Sequence, residues 1–457
     1  MIDGSSRPVN PYRWSTWAAA ATCALTPAYT VRWHYGFYPT TLLEHAILLT
    51  VVVFAVETSR QGSRLEWRTP FTWPAALFIL AGAISVVVAP SRRDALGLYR
   101  AYFLEPIAFF FIVAMVAREV RRALLVLAGL GVATLVVGLA NAVVVLQAIA
   151  AHRLDLAGTP PVVIYQTSNA VALFLLPVIA VAAGILVYGR DRRVRWLSAA
   201  YLVLAVPSFL LTFSRGGYLA LLGVAVGLAL ASRRRWQLLA IALGVTVVFA
   251  LIPPITIRIA HELNPADPNN TLVGRSYLWR ATWHMLQHYP ITGAGLAGFE
   301  TRLGPYWNAT HTDRFIYPHN IVLNFWAATG LLGLAAFLWL LVVAFRVSWR
   351  GWHGNPPLPR GALPPPLAGE GLGGGTDGGM GGGLWPSIQF GILLALVGIV
   401  IHGLVDVPYF KNDLSLEFWA LLGVSWAGLQ WACGRGRQPA RDTTADATRP
   451  VPAIEQS

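Results

Sequence analysis

Residues 315–345 read FIYPHNIVLNFWAATGLLGLAAFLWLLVVAF. From Ile321 onward the stretch is apolar and long enough to cross a bilayer, whose hydrocarbon core takes about 20 helical residues. Pro318 favours a helix start and places His319 near the first turn, at the aqueous boundary. An imidazole there is either a tolerated interfacial residue or the reason the helix is there. It can accept a proton from a hydroxyl nucleophile; equally, a neutral ring can hydrogen-bond locally with Asn320. Asn324, one turn further in, is placed to satisfy polar groups between helices.

The same apolar pattern recurs along most of the 457 residues. The chain is 56% hydrophobic and 12% charged with a mean hydropathy of +0.56, whereas a soluble domain carries about 25% charged residues. The expected class is therefore an all-α polytopic membrane protein. Twelve transmembrane helices are expected at roughly 14–31, 39–57, 71–89, 101–117, 123–149, 168–188, 196–213, 216–231, 236–253, 320–346, 386–404 and 415–432. The opening MIDGSSRPVNPYRW feeds straight into the first of them, with no cleavable leader evident. With the N-terminus inside, 22 of the 34 basic residues fall on inner segments, so both termini are expected in the cytoplasm. The formal charge of +13 is thereby explained by topology, and nucleic acid is not an expected partner. Cys23 and Cys433 sit at opposite ends of the apolar chain, which argues against a disulfide or a thiolate metal site.

The expected layout is nine membrane helices in 1–253, a large outer loop over 254–318 and a tenth span at 319–346. A linker follows at 347–385, then two last spans in 386–432 and a tail over 433–457. Within the linker, 354–383 contains twelve Gly and six Pro and has no means of building a core. No Walker sequence occurs, so ATP hydrolysis is unsupported.

Ionisable residues near spans are costly and therefore informative. In this topology Glu44, His45, Glu105, Arg215, His319, His402 and Asp406 gather toward the outer face. A transporter would concentrate such groups near mid-depth; a cluster at one face suits chemistry on something presented at the outer leaflet. In LTFSRGGYLALLGVAVG (211–227), Ser214 can N-cap the eighth span and Gly216 lets another group approach the backbone. The amide end of that helix, with the forked guanidinium of Arg215, makes a cradle for phosphate or pyrophosphate. The alternative is a tight hairpin whose arginine snorkels to headgroups. In NTLVGRSYLWRATWHMLQHYPITGAGLAGF (270–299), Arg275 and Arg280 interleave with aromatic residues suited to sugar stacking or to interfacial anchoring. His402 and Asp406 stand one turn apart; Asp406 either orients His319 or an arginine, or merely ends its own helix. No His or carboxylate beside His319 has metal-ligand spacing, and no metal is expected.

Taken in order, FSRGGYLAL, GRSYLWRATWHMLQHYPITGAGLAGF, PHNIVLNFWAATGLLGLAAF and HGLVDVPYF…LEFWALLG resemble the O-antigen ligase and polymerase superfamily of bacterial membrane glycosyltransferases. PTTLLEHAILL and YRAYFLEPI extend a weaker agreement into the N-terminal half. The resemblance is closest to O-antigen ligase. It implies a glycosyltransferase C-like helical fold in the bacterial inner membrane, with the active site facing the periplasm. The implied donor is an undecaprenyl-pyrophosphate-linked glycan and the implied acceptor a glycolipid or glycan hydroxyl, with neither cofactor nor metal. It further implies that Arg215 and Arg275 hold the pyrophosphate, joined by Arg258. His319 is implied as the base and Asp406 as the acidic partner, with Ser214, Gly216, Asn320 and His402 in support. The rival readings are a repeat-unit polymerase and, from another class, a transporter of small anions or lipids.

Overall fold

Apolar runs in a bilayer must satisfy every backbone polar group internally, and helices do so within a single segment. The computed structural model describes residues 12–36, 38–154, 160–233, 235–251, 253–264, 266–267, 270–307, 316–354 and 381–435. Helix α1 (Arg13–Ala24) is followed by a 3₁₀ turn at Thr26–Thr30 and an antiparallel hairpin, β1 (Arg32–Tyr35) and β2 (Tyr38–Thr41), in register Arg32↔Thr41 and Tyr35↔Tyr38. Then come α2 (Leu42–Arg60), α3 (Thr72–Val88), α4 (Arg92–Tyr99) and α5 (Glu105–Val116), the last two joined through a π turn at Arg100–Leu104. Next are α6 (Val120–Ala150), α7 (Ser168–Tyr188), α8 (Arg192–Leu210), α9 (Arg215–Leu230), α10 (Arg235–Ala250), α11 (Pro253–Leu263), α12 (Thr271–His288) and the short α13 (Phe299–Leu303). The chain closes with α14 (Ile321–His353), α15 (Gly381–Gly403) and α16 (Asn412–Arg435).

This is an all-α polytopic membrane protein. Among the described residues, seven helical stretches are long and apolar enough to cross a membrane: 42–60, 92–116, 120–150, 168–188, 192–210, 321–353 and 383–403; α3 and α9 are apolar but shorter. The first expected span, 14–31, is instead a twelve-residue helix ending in the 3₁₀ turn, because Pro27 follows Thr26 where the helix would have to continue. Of the expected linker, 347–353 continue α14 and 381–385 open α15, while 355–380 lie outside the described residues.

Helix α7 forms the centre, buried along most of its length against α15, and Gly184 and Gly391 let the two backbones meet. Lipid is as apolar as leucine, so close packing and interhelical hydrogen bonds hold such a bundle together. One bond set ties three helices. Gln389 donates to the Ser425 carbonyl (2.6 Å), Ser425 Oγ donates to Gln389 Oε1 (2.8 Å), and Ser348 and Ser425 hydroxyls lie 2.9 Å apart. A second set links the hairpin to α2 and the π turn. Arg100 pairs with both Glu44 and Glu105 at 2.9 Å, while Tyr38 and Thr40 donate to Glu44.

Helix α14 is broken. Gly330 has φ 71° and ψ −177°, a conformation essentially reserved for glycine. The 290–298 loop fills the break: Leu331 N donates to the Ile291 carbonyl (3.0 Å) and Ala294 N to the Ala327 carbonyl (2.6 Å). Ser85 adds a strut, accepting from Leu296 N (2.8 Å) and donating to the Ala328 carbonyl. The expected continuous span is thus two segments, and the loop after α12 fixes the angle of the first, Ile321–Thr329.

Candidate functional site

His319 sits just before α14 with φ 47°, a left-handed backbone that costs a non-glycine residue about 1–2 kcal/mol. Its neighbours hold it there. Asn320 N-caps α14, accepting from Leu323 N (3.1 Å), and its amide donates to the Leu404 carbonyl (3.0 Å). Trp279 on α12 donates to the Pro318 carbonyl (2.9 Å), and the Tyr317 ring lies 4.5 Å from the imidazole. The result aims His319 Nδ1 at Asp406 Oδ1, 3.1 Å away. Asp406 is buried, and the same oxygen accepts from Val407 N at 2.9 Å.

The segment carrying Asp406, residues 404–411, is clamped at both ends. Leu404 is held by Asn320; Tyr409 donates to the Tyr102 carbonyl (2.7 Å) and accepts from Trp419 (2.9 Å). Burial raises the Asp406 carboxyl, but the His319 hydrogen bond and the charges of His319, His402 and Arg275 overcome this and hold it at about 2. A carboxylate accepting from Nδ1–H leaves the imidazole lone pair on Nε2, the arrangement a general base requires.

Helix α9 meets this pair from another direction. Ser214 N-caps it, accepting from Gly217 N (3.1 Å), and donates to Asn169 Oδ1 (2.8 Å). A Cβ at Gly216 would lie 2.7 Å from Val405 Cγ2 and 3.0 Å from His402 Cδ2, so the amide end of α9 rests directly on the end of α15. His402 is fully buried, and neither ring nitrogen has a hydrogen-bond partner among the described residues.

Arg215 pairs with Glu262 on α11 and donates to Thr271 Oγ1 (3.3 Å). Glu262 also accepts from the first turn of α12, from Thr271 N (3.2 Å), Thr271 Oγ1 (2.6 Å) and Leu272 N (3.1 Å). A carboxylate thus occupies a setting suited to an anion, a helix N-terminus beside a guanidinium. Arg275, one turn along α12, is half-buried and forms no ion pair among the described residues. Burial lowers its guanidinium from the ordinary arginine value, and Asp406 and Tyr317 oppose that.

The structure therefore brings together His319, Asn320, Asp406, His402, Ser214, Gly216 and Arg275, with Arg215 attached at their edge through α11 and α12. Arg258 falls on α11, where its side chain lies outside the described part of the structure. Sequence reading passed over Glu262, Tyr317 and Trp279's bond to Pro318. Only the aromatic pattern of α12 hinted at the last, and the Glu262 contact joins helices that the sequence does not place together. No group of three or more His, Cys, Asp or Glu residues able to hold a metal occurs among the described residues.

Comparison with known proteins covers part of this arrangement. Residues 200–338 match the family model described as O-antigen ligase, a span holding Arg215, Arg258, Arg275 and His319 but not Asp406. An O-antigen ligase of Salmonella typhimurium is 30% identical over 167 residues, which is 33% of this chain and 38% of that protein. The chain thus spans well under half the length of the curated relative it matches. Over those segments the chain is similar to O-antigen ligases.

Proposed function

We propose that the protein transfers a glycan from undecaprenyl pyrophosphate to an acceptor hydroxyl at the periplasmic face of the inner membrane, in lipopolysaccharide or surface-polysaccharide assembly. The observation that supports this best is the His319–Asp406 pair set against Arg275 and the amide end of α9. In this reading the glycan donor's diphosphate rests on Arg275 and on Arg215, where it takes the place of Glu262. His319 Nε2 removes the proton of the acceptor hydroxyl as its oxygen attacks the anomeric carbon. The bond to the phosphate oxygen breaks, and undecaprenyl pyrophosphate leaves with the electron pair. A single inverting displacement is the simplest course, since the sequence offers no paired carboxylates at a spacing that suggests a glycosyl-enzyme intermediate. Charge develops on the leaving diphosphate, so the arginines contribute more than proton removal does. No step calls for a metal or a cofactor.

The test is reconstituted transfer by wild type, Arg215→Ala and Arg215→Lys in nanodiscs. Loss of turnover in the alanine variant with only partial recovery in the lysine variant is expected, because a point charge does not reproduce a two-pronged contact. A fully active Arg215→Ala protein would overturn the mechanism. Product still on the polyprenyl carrier but lengthened would make the protein a repeat-unit polymerase.

A further inference from the structure

Beside the His319–Asp406 pair lies a cavity of about 710 Å³. Its wall contains none of Arg215, Arg275, Gly216 or His402; it is built from the hairpin, the π turn, the segment before α7, the loop after α12 and the strap before α16. Tyr317 and Lys411 connect it to the pair: both line it, and both also line the small recess that contains Asp406. The Tyr317 ring in turn lies 4.5 Å from the His319 ring, tilted at 56° to it. The cavity therefore adjoins the recess of Asp406, and the Tyr317 ring beside His319, on a side separate from the arginines assigned to the diphosphate.

Its lining has the character of a saccharide site. Tyr29, Tyr102 and Tyr165 offer aromatic surface on which sugar C–H faces stack, while Gln166 and Asn412 offer amide groups for hydroxyls. Its volume falls within the range of ligand pockets, ~300–1,000 Å³. Two cations line it, Arg32 and Lys411, against one carboxylate, Glu300. Arg32 is exposed, directs Nε to the Tyr29 carbonyl (3.2 Å) and lies 5.7 Å over the Tyr29 ring. Lys411, the one lysine in the sequence, has its Nζ 5.6 Å over the Tyr165 ring. Neither forms an ion pair among the described residues; Asp413 and Asp406 are the carboxylates that act on Lys411 at longer range.

We propose that this cavity is the acceptor subsite and that it takes a saccharide carrying an anionic substituent, phosphate or carboxylate, held by Arg32 and Lys411 over the tyrosines. The assignment as acceptor rests on the transfer reading above; binding of the anionic saccharide does not. A ligand seated there presents a hydroxyl past Tyr317 to His319, while the glycan donor approaches from the α9 and α12 side. Arg32 and Lys411 then set acceptor specificity and stand apart from the bond-making atoms.

The test measures binding to the full chain in nanodiscs, without a glycan donor, by microscale thermophoresis. The probes are maltotriose, maltotriose 6-phosphate and trigalacturonate, and the proteins are wild type, Arg32→Gln, Arg32→Lys and Lys411→Gln. Wild type is expected to bind at least one anionic probe roughly tenfold more tightly than maltotriose. Phosphate and carboxylate are separated by which of the two probes that is. The preference should collapse in Arg32→Gln and Lys411→Gln and return in part in Arg32→Lys, whose exposed position leaves folding intact. Equal affinity for all three probes in wild type, or a preference kept in both glutamine variants, overturns the proposal. Failure of the transfer reading shows separately, as absence of undecaprenyl pyrophosphate release with any acceptor.

Discussion

Asp406→Asn is the perturbation whose consequences the structure specifies most fully. The carboxyl is held at about 2 against an ordinary 3.8, because its bond to His319 and the charges of His319, His402 and Arg275 outweigh its burial and favour the ionised form in the folded protein. An asparagine keeps the shape but can turn its amide toward His319 Nδ1, which moves the ring proton to Nε2 and removes the lone pair that would accept the acceptor's proton. Losing both the tautomer and the stabilisation of the imidazolium is expected to lower kcat by about 10²–10⁴-fold. The assay is single-turnover release of undecaprenyl pyrophosphate in the presence of an acceptor, for Asp406→Asn, His319→Ala and the double variant. Because the two residues act as one unit, the double variant should be no slower than His319→Ala alone. The same substitution predicts a stability effect. A depressed carboxyl contributes stability that is present above its unfolded value, near 3.8, and lost as pH falls toward 2. The gap in thermal midpoint between wild type and variant should therefore be open at pH 7 and close across that acid window. Asp406→Asn with wild-type turnover, or a double variant slowed by the product of the two single effects, would refute the reasoning.

Four other outcomes follow from the same geometry. Gly216→Ala forces a Cβ to within 2.7 Å of Val405 and 3.0 Å of His402; a loss of about 1–3 kcal/mol in thermal stability, with reduced transfer, is expected. Gly330→Ala places a Cβ 2.3 Å from the Ile291 carbonyl oxygen at a φ of 71°; a lower yield of folded protein in detergent and more than about 2 kcal/mol of destabilisation are expected. Glu262→Gln removes the carboxylate that pairs with Arg215; if the donor diphosphate takes that place, as proposed, the KM for the glycan donor should fall, by about threefold to tenfold. A raised KM would show that Glu262 positions the guanidinium instead. Ser214→Ala removes the N-cap of α9 and its bond to Asn169, at a cost of about 1 kcal/mol read by thermal unfolding.

Much of the bundle was legible because lipid imposes a simple rule. Runs such as 168–188 and 120–150 are apolar, long and bounded by Arg or Ser, and each is one helix. Ser214 also read correctly as a cap, since a short polar side chain directly before an apolar run has few other uses, whereas Asn320 was placed inside its span and is in fact the N-cap of α14. Composition says less about where a span breaks. Gly330 lies in ATGLLG, which reads as a small-residue helix face; the break depends on the Ile291 carbonyl and the Ala294 amide, almost forty residues earlier. The short α1 and the hairpin over 32–41 went unread for a related reason: RWHYGFYPT is as hydrophobic as a span edge, and cross-strand pairing leaves little trace in four-residue strands. At the site, the motifs named His319, Asp406, Arg215 and Arg275, whereas their mutual geometry comes from long-range contacts. Asn320 reaches Leu404, Trp279 reaches Pro318, and Gly216 touches His402. Glu262 was invisible because its role depends on α11 folding back onto the start of α9, which nothing in PPITIRIAHEL specifies.

The most direct measurement uses the purified protein in lipid with an undecaprenyl-pyrophosphate-linked glycan and a candidate acceptor glycolipid, and follows released undecaprenyl pyrophosphate and product size for wild type and His319→Ala. Release coupled to glycan on the acceptor, reduced at least a hundredfold in the variant, is the predicted result. Equal release and transfer by His319→Ala would contradict it.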